Sequence, residues 1–110
     1  MPYFDHSATT PVHPDVLELM AITQRDVYGN PSSVHAQGRK AKSIIEKARR
    51  QVAAAIGAKP DQIIFTSGGS ESNNQVLRSV MNMKKKHIIA TAIEHPAILN
   101  VLKTLEQFGI

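Results

Sequence analysis

Ile63-Ile64-Phe65-Thr66-Ser67-Gly68-Gly69-Ser70-Glu71 is the stretch on which the reading of the fold turns. Its first four residues form a short apolar run, the composition of a buried strand. Ser67 to Ser70 breaks that run. From Glu71 to about Met83 the apolar residues Val76, Leu77, Val80 and Met81 return at helical spacing. The pattern predicts a strand at about 62–66, a turn at 67–69 and a helix starting near Ser70. A junction of that kind gathers free N–H groups at the positive end of a helix dipole, which makes an anion site. Gly68 and Gly69 permit close backbone approach, and Ser70 adds a hydroxyl donor. No lysine follows the glycines and no GxGxxG pattern is present, so the junction is not a nucleotide-binding loop. The competing reading is that the glycines and serine only turn the chain and cap the helix.

The same alternation extends outward in both directions. Downstream, His87-Ile88-Ile89-Ala90-Thr91 reads as a second buried strand and Ala92 to His95 as a loop. Pro96 then opens a helix carrying Ile98, Val101, Leu102 and Leu105, with Gly109 placed to cap it. Upstream, Ala41, Ile45, Ala48, Val52 and Ala55 recur at steps of four and three, one face of a helix from about His35 to Ile56. Gly57 suits its left-handed cap. Ser32 or Ser33, in the loop Tyr28-Gly29-Asn30-Pro31-Ser32-Ser33, is placed to cap its start. Pro14 suits the first position of a short helix bearing Val16, Leu17, Leu19 and Met20, and Met1 to Pro14 reads as an arm. Helices alternating with strands define an α/β chain, here a partial open parallel sheet with flanking helices.

Composition narrows the class of function. A chain of 110 residues suits one small domain, and with aromatics at 5% its core must be aliphatic and small-residue packed. No apolar run approaches the roughly 20 residues of a membrane span, and no signal-peptide pattern opens the chain. The absence of cysteine rules out a disulfide framework and agrees with a cytoplasmic location. The formal charge of +4 is spread out, with one run at Lys84-Lys85-Lys86 beside His87. Nucleic-acid binding asks for a longer basic stripe with interleaved aromatics, so that run reads as a solvated helix end.

Glu94-His95-Pro96 is the second place where chemistry can sit. In open parallel sheets ligands gather beyond the carboxyl ends of the strands, and both this loop and the glycine junction come after predicted strands. A histidine there can stack on a ligand ring and move a proton near neutral pH. The alternative is a structural histidine that caps the helix. A zinc site from His87, Glu94 and His95 is disfavoured by the seven-residue separation and the intervening run. Asp5 to Pro11 and Tyr28 to His35 read, each by itself, as polar turns.

Four segments taken in order resemble the cysteine desulfurases, a branch of the class V aminotransferase-like enzymes that use pyridoxal 5'-phosphate. They are Asp5-His6-Ser7-Ala8-Thr9-Thr10-Pro11, Tyr28-Gly29-Asn30-Pro31-Ser32-Ser33-Val34-His35, Ile64 through Asn74, and Glu94-His95-Pro96-Ala97. The resemblance spans essentially the whole chain. It implies that residues 1–110 are an incomplete cofactor-binding large domain of the aspartate-aminotransferase-like type (fold type I), with 1–14 an N-terminal arm. It implies that Gly69 and Ser70 bind the cofactor phosphate, and that His95 stacks on the pyridine ring and takes part in proton transfer. Ser70 stands where threonine is commoner, which keeps the hydroxyl, and His6 occupies a variable position with no role.

The implied reaction removes sulfur from L-cysteine, giving L-alanine and an enzyme persulfide, for iron–sulfur cluster assembly or tRNA thiolation. The implied partners are a second copy in a homodimer and a sulfur-acceptor or scaffold protein. Family members carry a cofactor-binding lysine, a pyridinium-pairing aspartate and a nucleophilic cysteine downstream of the region matching His95. No lysine here has the required context and there is no cysteine, so the chain alone is expected to be inactive. Two further readings stay open: a non-catalytic remnant that binds a phosphate or a partner chain, and a related selenocysteine lyase or aminotransferase. Glu94-His95 favours the lyases over aminotransferases, which more often stack an aromatic residue there.

Overall fold

The structure, a computed structural model, describes residues 2–110, so Met1 of the expected arm lies outside the described residues. Its elements are α1 (Pro14–Asp26), α2 (Ala36–Ala55), α3 (Gly69–Ser79) and α4 (Pro96–Glu106), with 3₁₀ turns at Pro60–Gln62 and Val80–Asn82. The chain divides into two compact units, Met1–Ile63 and Ile64–Ile110.

In the first unit α1 begins at Pro14, as its sequence predicts, and the Asp15 amide donates to Nδ1 of His13 at 3.3 Å. Lys40 reaches from α2 to the Asp26 carbonyl at the end of α1, 3.0 Å away. The cap of α2 differs from expectation. Neither Ser32 nor Ser33 caps it, because Asn30 Oδ1 accepts from the Ser32 amide at 2.9 Å and curls the loop one turn earlier. His35 takes the capping position, with Nδ1 accepting from the Gly38 amide at 3.2 Å. This loop lies tightly on the first turn of α2. A Cβ on Gly38 would collide with the Ser33 carbonyl oxygen and stand 2.7 Å from that of Asn30.

The predicted face of α2 is only partly covered. Ala41 and Ala53 are buried, whereas Ile45 and Val52 remain more than a third exposed. Gly57 ends the helix at φ +68°, the left-handed turn expected of it, and the Ala58 amide returns to the Ala53 carbonyl at 2.9 Å. The Arg49 guanidinium pairs with Glu46 at 3.2 Å and also donates to the Ile63 carbonyl, which ties α2 to the start of the apolar run.

The two predicted strands are not formed. No strand occurs among the described residues; 60–62 is a 3₁₀ turn, and 63–66 and 87–91 are neither helical nor laddered. Ile63 keeps an extended backbone (φ −96°, ψ 125°), so the local preference survives without the sheet. The physical reason is that strand identity is a pairwise property. Ile64 is 64% and Ile89 89% exposed, and their apolar side chains find no opposing layer here.

In the second unit the helices appear where the periodicity puts them. Gly68 is the N-cap of α3, so the helix begins one residue before Ser70, and Ser79 passes into the second 3₁₀ turn. α3 and α4 pack against each other. Val101 and Leu105, one turn apart on α4, are buried, and Leu105 is fully enclosed. Gly109 at φ +76° closes α4, with the Ile110 amide returning to the Leu105 carbonyl at 3.3 Å.

Candidate functional site

The first turn of α3 leaves donors free. Its first intrahelical bond runs from the Ser72 amide to the Gly68 carbonyl (3.1 Å), so the amides of Gly69, Ser70 and Glu71 have no acceptor within the helix. Glu71 turns back instead, its Oε2 accepting from both the amide and the hydroxyl of Ser67 at 2.6 Å. These bonds, the hydroxyl's first, hold the Glu71 carboxyl below its ordinary range. The turn is braced further by a 2.7 Å bond between the hydroxyls of Thr66 and Ser72. A Cβ at Gly69 would meet nothing within 4 Å, so open space and not crowding lies beside it.

The first turn of α4 is built differently. His95 is its N-cap and Pro96 its first residue, and the Ala97 amide donates to His95 Nδ1 at 3.1 Å. The alternative reading of this residue, a capping histidine, is therefore real for one nitrogen. An imidazole that accepts at Nδ1 is neutral with its proton on Nε2, and Nε2 remains available. Glu94 accepts from the Thr91 hydroxyl at 2.9 Å.

These two helix starts border one depression of about 390 Å³, lined by Gly69, Ser70, Asn73, His95 and Ala97. Gly69 and Ser70 thus share one wall with His95, although the two helices that carry them are separated along the chain. Sequence patterning by itself does not mark Asn73 or Ala97. Asn73 stands one turn beyond Gly69 on the same helix face, a spacing that could have pointed to it. Its carboxamide has no bonding partner among the described residues, so a donor and an acceptor are both available there. His87 and Glu94 are not part of the wall, and no group of metal-binding side chains occurs among the described residues. A second hollow, about 430 Å³, is lined by Tyr3, His6, Thr9, Thr10 and Pro11, where the Tyr3 and His6 rings meet edge to face at 5.0 Å.

A ring nitrogen, a hydroxyl, a carboxamide and unpaired amides around open space suit an anionic ligand. The family model described as aminotransferase class-V matches residues 2–110. A cysteine desulfurase IscS of Dictyoglomus turgidum is 47% identical over 110 residues, covering 97% of this chain and 28% of the relative. A mitochondrial cysteine desulfurase of Drosophila melanogaster is 47% identical over 111 residues, covering 97% of this chain and 24% of the relative. Among solved structures, a NifS-like protein superposes with a TM-score of 0.85 at 43% identity, covering 94% of this chain and 29% of that one. A structure titled SspA in complex with cysteine gives a TM-score of 0.86 at 40% identity, covering 100% of this chain and 33% of that one. The chain thus spans about a quarter to a third of the length of these relatives. No helix of the described residues is long and apolar enough to cross a membrane.

Proposed function

Since the chain belongs to the class-V aminotransferase family, we propose that it forms the N-terminal part of a cysteine desulfurase and contributes the phosphate-binding and ring-stacking side of its pyridoxal 5'-phosphate site. The observation that carries the reading is the shared depression, which sets Gly69 and Ser70 beside His95. The residues fit the cofactor. The free amides of the α3 start and the Ser70 hydroxyl suit a phosphate, the space beside Gly69 admits it, and Asn73 offers a further donor. His95, anchored through Nδ1, presents its ring at a fixed angle and keeps Nε2 to hold or pass a proton. The cofactor, when bound, supplies the electron sink.

In the proposed reaction the Cβ–Sγ bond of L-cysteine breaks with its electron pair left on carbon. That carbon takes a proton to give L-alanine, and sulfur passes to an enzyme thiol as a persulfide. The thiol comes from outside residues 1–110, since this sequence has no cysteine, and the resemblance puts the cofactor-binding lysine there too. Residues 1–110 alone are then inactive, an incomplete large domain with 1–14 as its arm. The apolar runs 63–66 and 87–91 become strands of the fold-type-I sheet once the rest of that domain supplies their neighbours. A cysteine-bound relative among the similar structures favours cysteine over selenocysteine. Delivery to a sulfur-acceptor or scaffold protein from a homodimer, for iron–sulfur cluster assembly or tRNA thiolation, completes the reading. We place it in the cytoplasm, where thiols stay reduced.

The test is co-expression of this chain with the remainder of a close relative, starting at the residue matching 111. Co-purification and sulfide release from cysteine are expected, with His95→Ala lowering turnover and Lys85→Ala leaving it unchanged. Equal loss from both substitutions would remove His95 from the site, and failure to co-purify would sink the assembly.

A further inference from the structure

Three of the four α-helices among the described residues start in the same way. The Asp15 amide donates to His13 Nδ1 at 3.3 Å, the Gly38 amide to His35 Nδ1 at 3.2 Å and the Ala97 amide to His95 Nδ1 at 3.1 Å. Histidine is not among the favoured capping residues, which are Ser, Thr, Asp and Asn, so its use at three starts of one chain is a departure from chemistry that is indifferent to neutral pH. An imidazole accepts at Nδ1 only while that nitrogen holds a lone pair, and a protonated ring donates from both nitrogens. The cation would also face the positive end of the helix dipole. We infer that His13, His35 and His95 form a proton-operated set of helix caps, whose release in mild acid loosens the starts of α1, α2 and α4 together.

α3 is the internal control. Its N-cap is Gly68, with no side-chain cap, and its turn is held by Glu71 on Ser67. A carboxylate whose folded-state value is depressed contributes stability above its unfolded value and loses it only as the pH falls through the lower, folded one. The α3 start is therefore unaffected in the range where imidazoles titrate.

Charged groups stand near each of the three caps. His13 has Asp15 Oδ2 at 3.8 Å, a carboxylate beside the imidazole. Beside His35 the Arg39 guanidinium donates to the Val34 carbonyl. Lys59 and Asp61, around the 3₁₀ turn packed on α2, lie beyond the C-terminal end of that helix, and Lys40 is engaged at Asp26. His95 has Glu94 beside it in sequence, engaged with Thr91, and none of the side chains of α3 that share its depression is charged; Glu71 and Arg78 of α3 are bound to Ser67 and Asn74.

The experiment compares this chain with its triple variant His13→Asn, His35→Asn, His95→Asn, since asparagine caps well and does not titrate. Helical ellipticity at 222 nm is recorded from about pH 7.5 to about pH 5, with amide signals of Asp15, Gly38, Ala97 and Ser67 resolved by ¹⁵N correlation spectra. Each cap shifts its helix equilibrium about fivefold. The parent should lose roughly a quarter of its signal between those limits. The amides of Gly38, Ala97 and Asp15 should move together with that loss while Ser67 stays still, and the triple variant should be flat. An equal loss in the triple variant, a parent that does not change, or movement of Ser67 in step with the others overturns the inference. Should the triple variant not fold, His35→Asn alone decides. Loss of the pH response at Gly38 with Ala97 still responding upholds it, and an unchanged response at Gly38 refutes it.

Discussion

His13-Pro14 and His95-Pro96 open their helices with the same dipeptide, almost the same backbone (φ −58°, ψ 138° against φ −59°, ψ 145°) and the same Nδ1 bond to the amide two residues on. Beyond the first turn the two helices diverge. α1 buries none of its residues, and its apolar side chains, such as Leu19 at 64% exposure, face outward. α4 buries Val101 and Leu105, and its start borders the depression that holds the Gly69-Ser70 turn. One local motif thus makes a helix cap in both units, and a candidate site in only one. A histidine gains chemistry from the groups that packing brings beside it, here a second helix start with free donors, and not from its own turn.

The largest expected effect separates the two helices by burial. Leu105→Ala should cost about 3 kcal/mol in denaturant unfolding, because it removes a fully enclosed side chain from a small core. Leu19→Ala should stay within about 0.5 kcal/mol. Similar costs for both would erase the distinction between a packed and an uncovered helix.

Next in size is the functional contrast. In the enzyme reassembled with a relative's remainder, His95→Ala should lower turnover about 100-fold, the usual worth of a positioned proton-transfer group. His13→Ala should leave turnover within about twofold and show itself only in helix stability. Steady-state sulfide release from cysteine reads both, and a comparable loss from His13→Ala would mean that the shared cap, not the surroundings, carries the effect.

A binding contrast is smaller and needs no partner. Titrated with inorganic phosphate, the amides of Gly69, Ser70 and Glu71 should shift before any others, at millimolar concentrations typical of a weak anion contact of roughly 4 kcal/mol. The first turn of α1 should not respond, because Asp15 already places a negative charge there. Shifts confined to Lys84 to Lys86 would move the anion contact to the basic run.

The smallest effect concerns acid below the range of the histidine caps. The Glu71 carboxyl is depressed by its Ser67 bonds, so its contribution to the α3 start persists above the unfolded carboxylate value and disappears as the pH falls through the lower folded one. Glu71→Gln should remove that low-pH step from the Ser67 amide. A step that survives the substitution would assign it to another carboxyl.

Much of this is readable along the chain. Helical periodicity, Pro14 and Pro96 at helix starts and Gly57 and Gly109 at helix ends each depend on residues within one or two turns, and each appears where the sequence places it. The Gly68-Gly69-Ser70 junction and His95 are legible as separate candidates for the same reason. Tertiary structure alone decided the rest. Only packing of α3 on α4 set His95 beside Ser70 and brought Asn73 into the same wall. Only the close approach of the loop at Asn30 and Ser33 to α2 explains why position 38 holds a glycine. Ile63 to Thr66 and His87 to Thr91 have the composition of strands without being strands, because a strand's hydrogen bonds are closed by a partner that its own residues cannot provide.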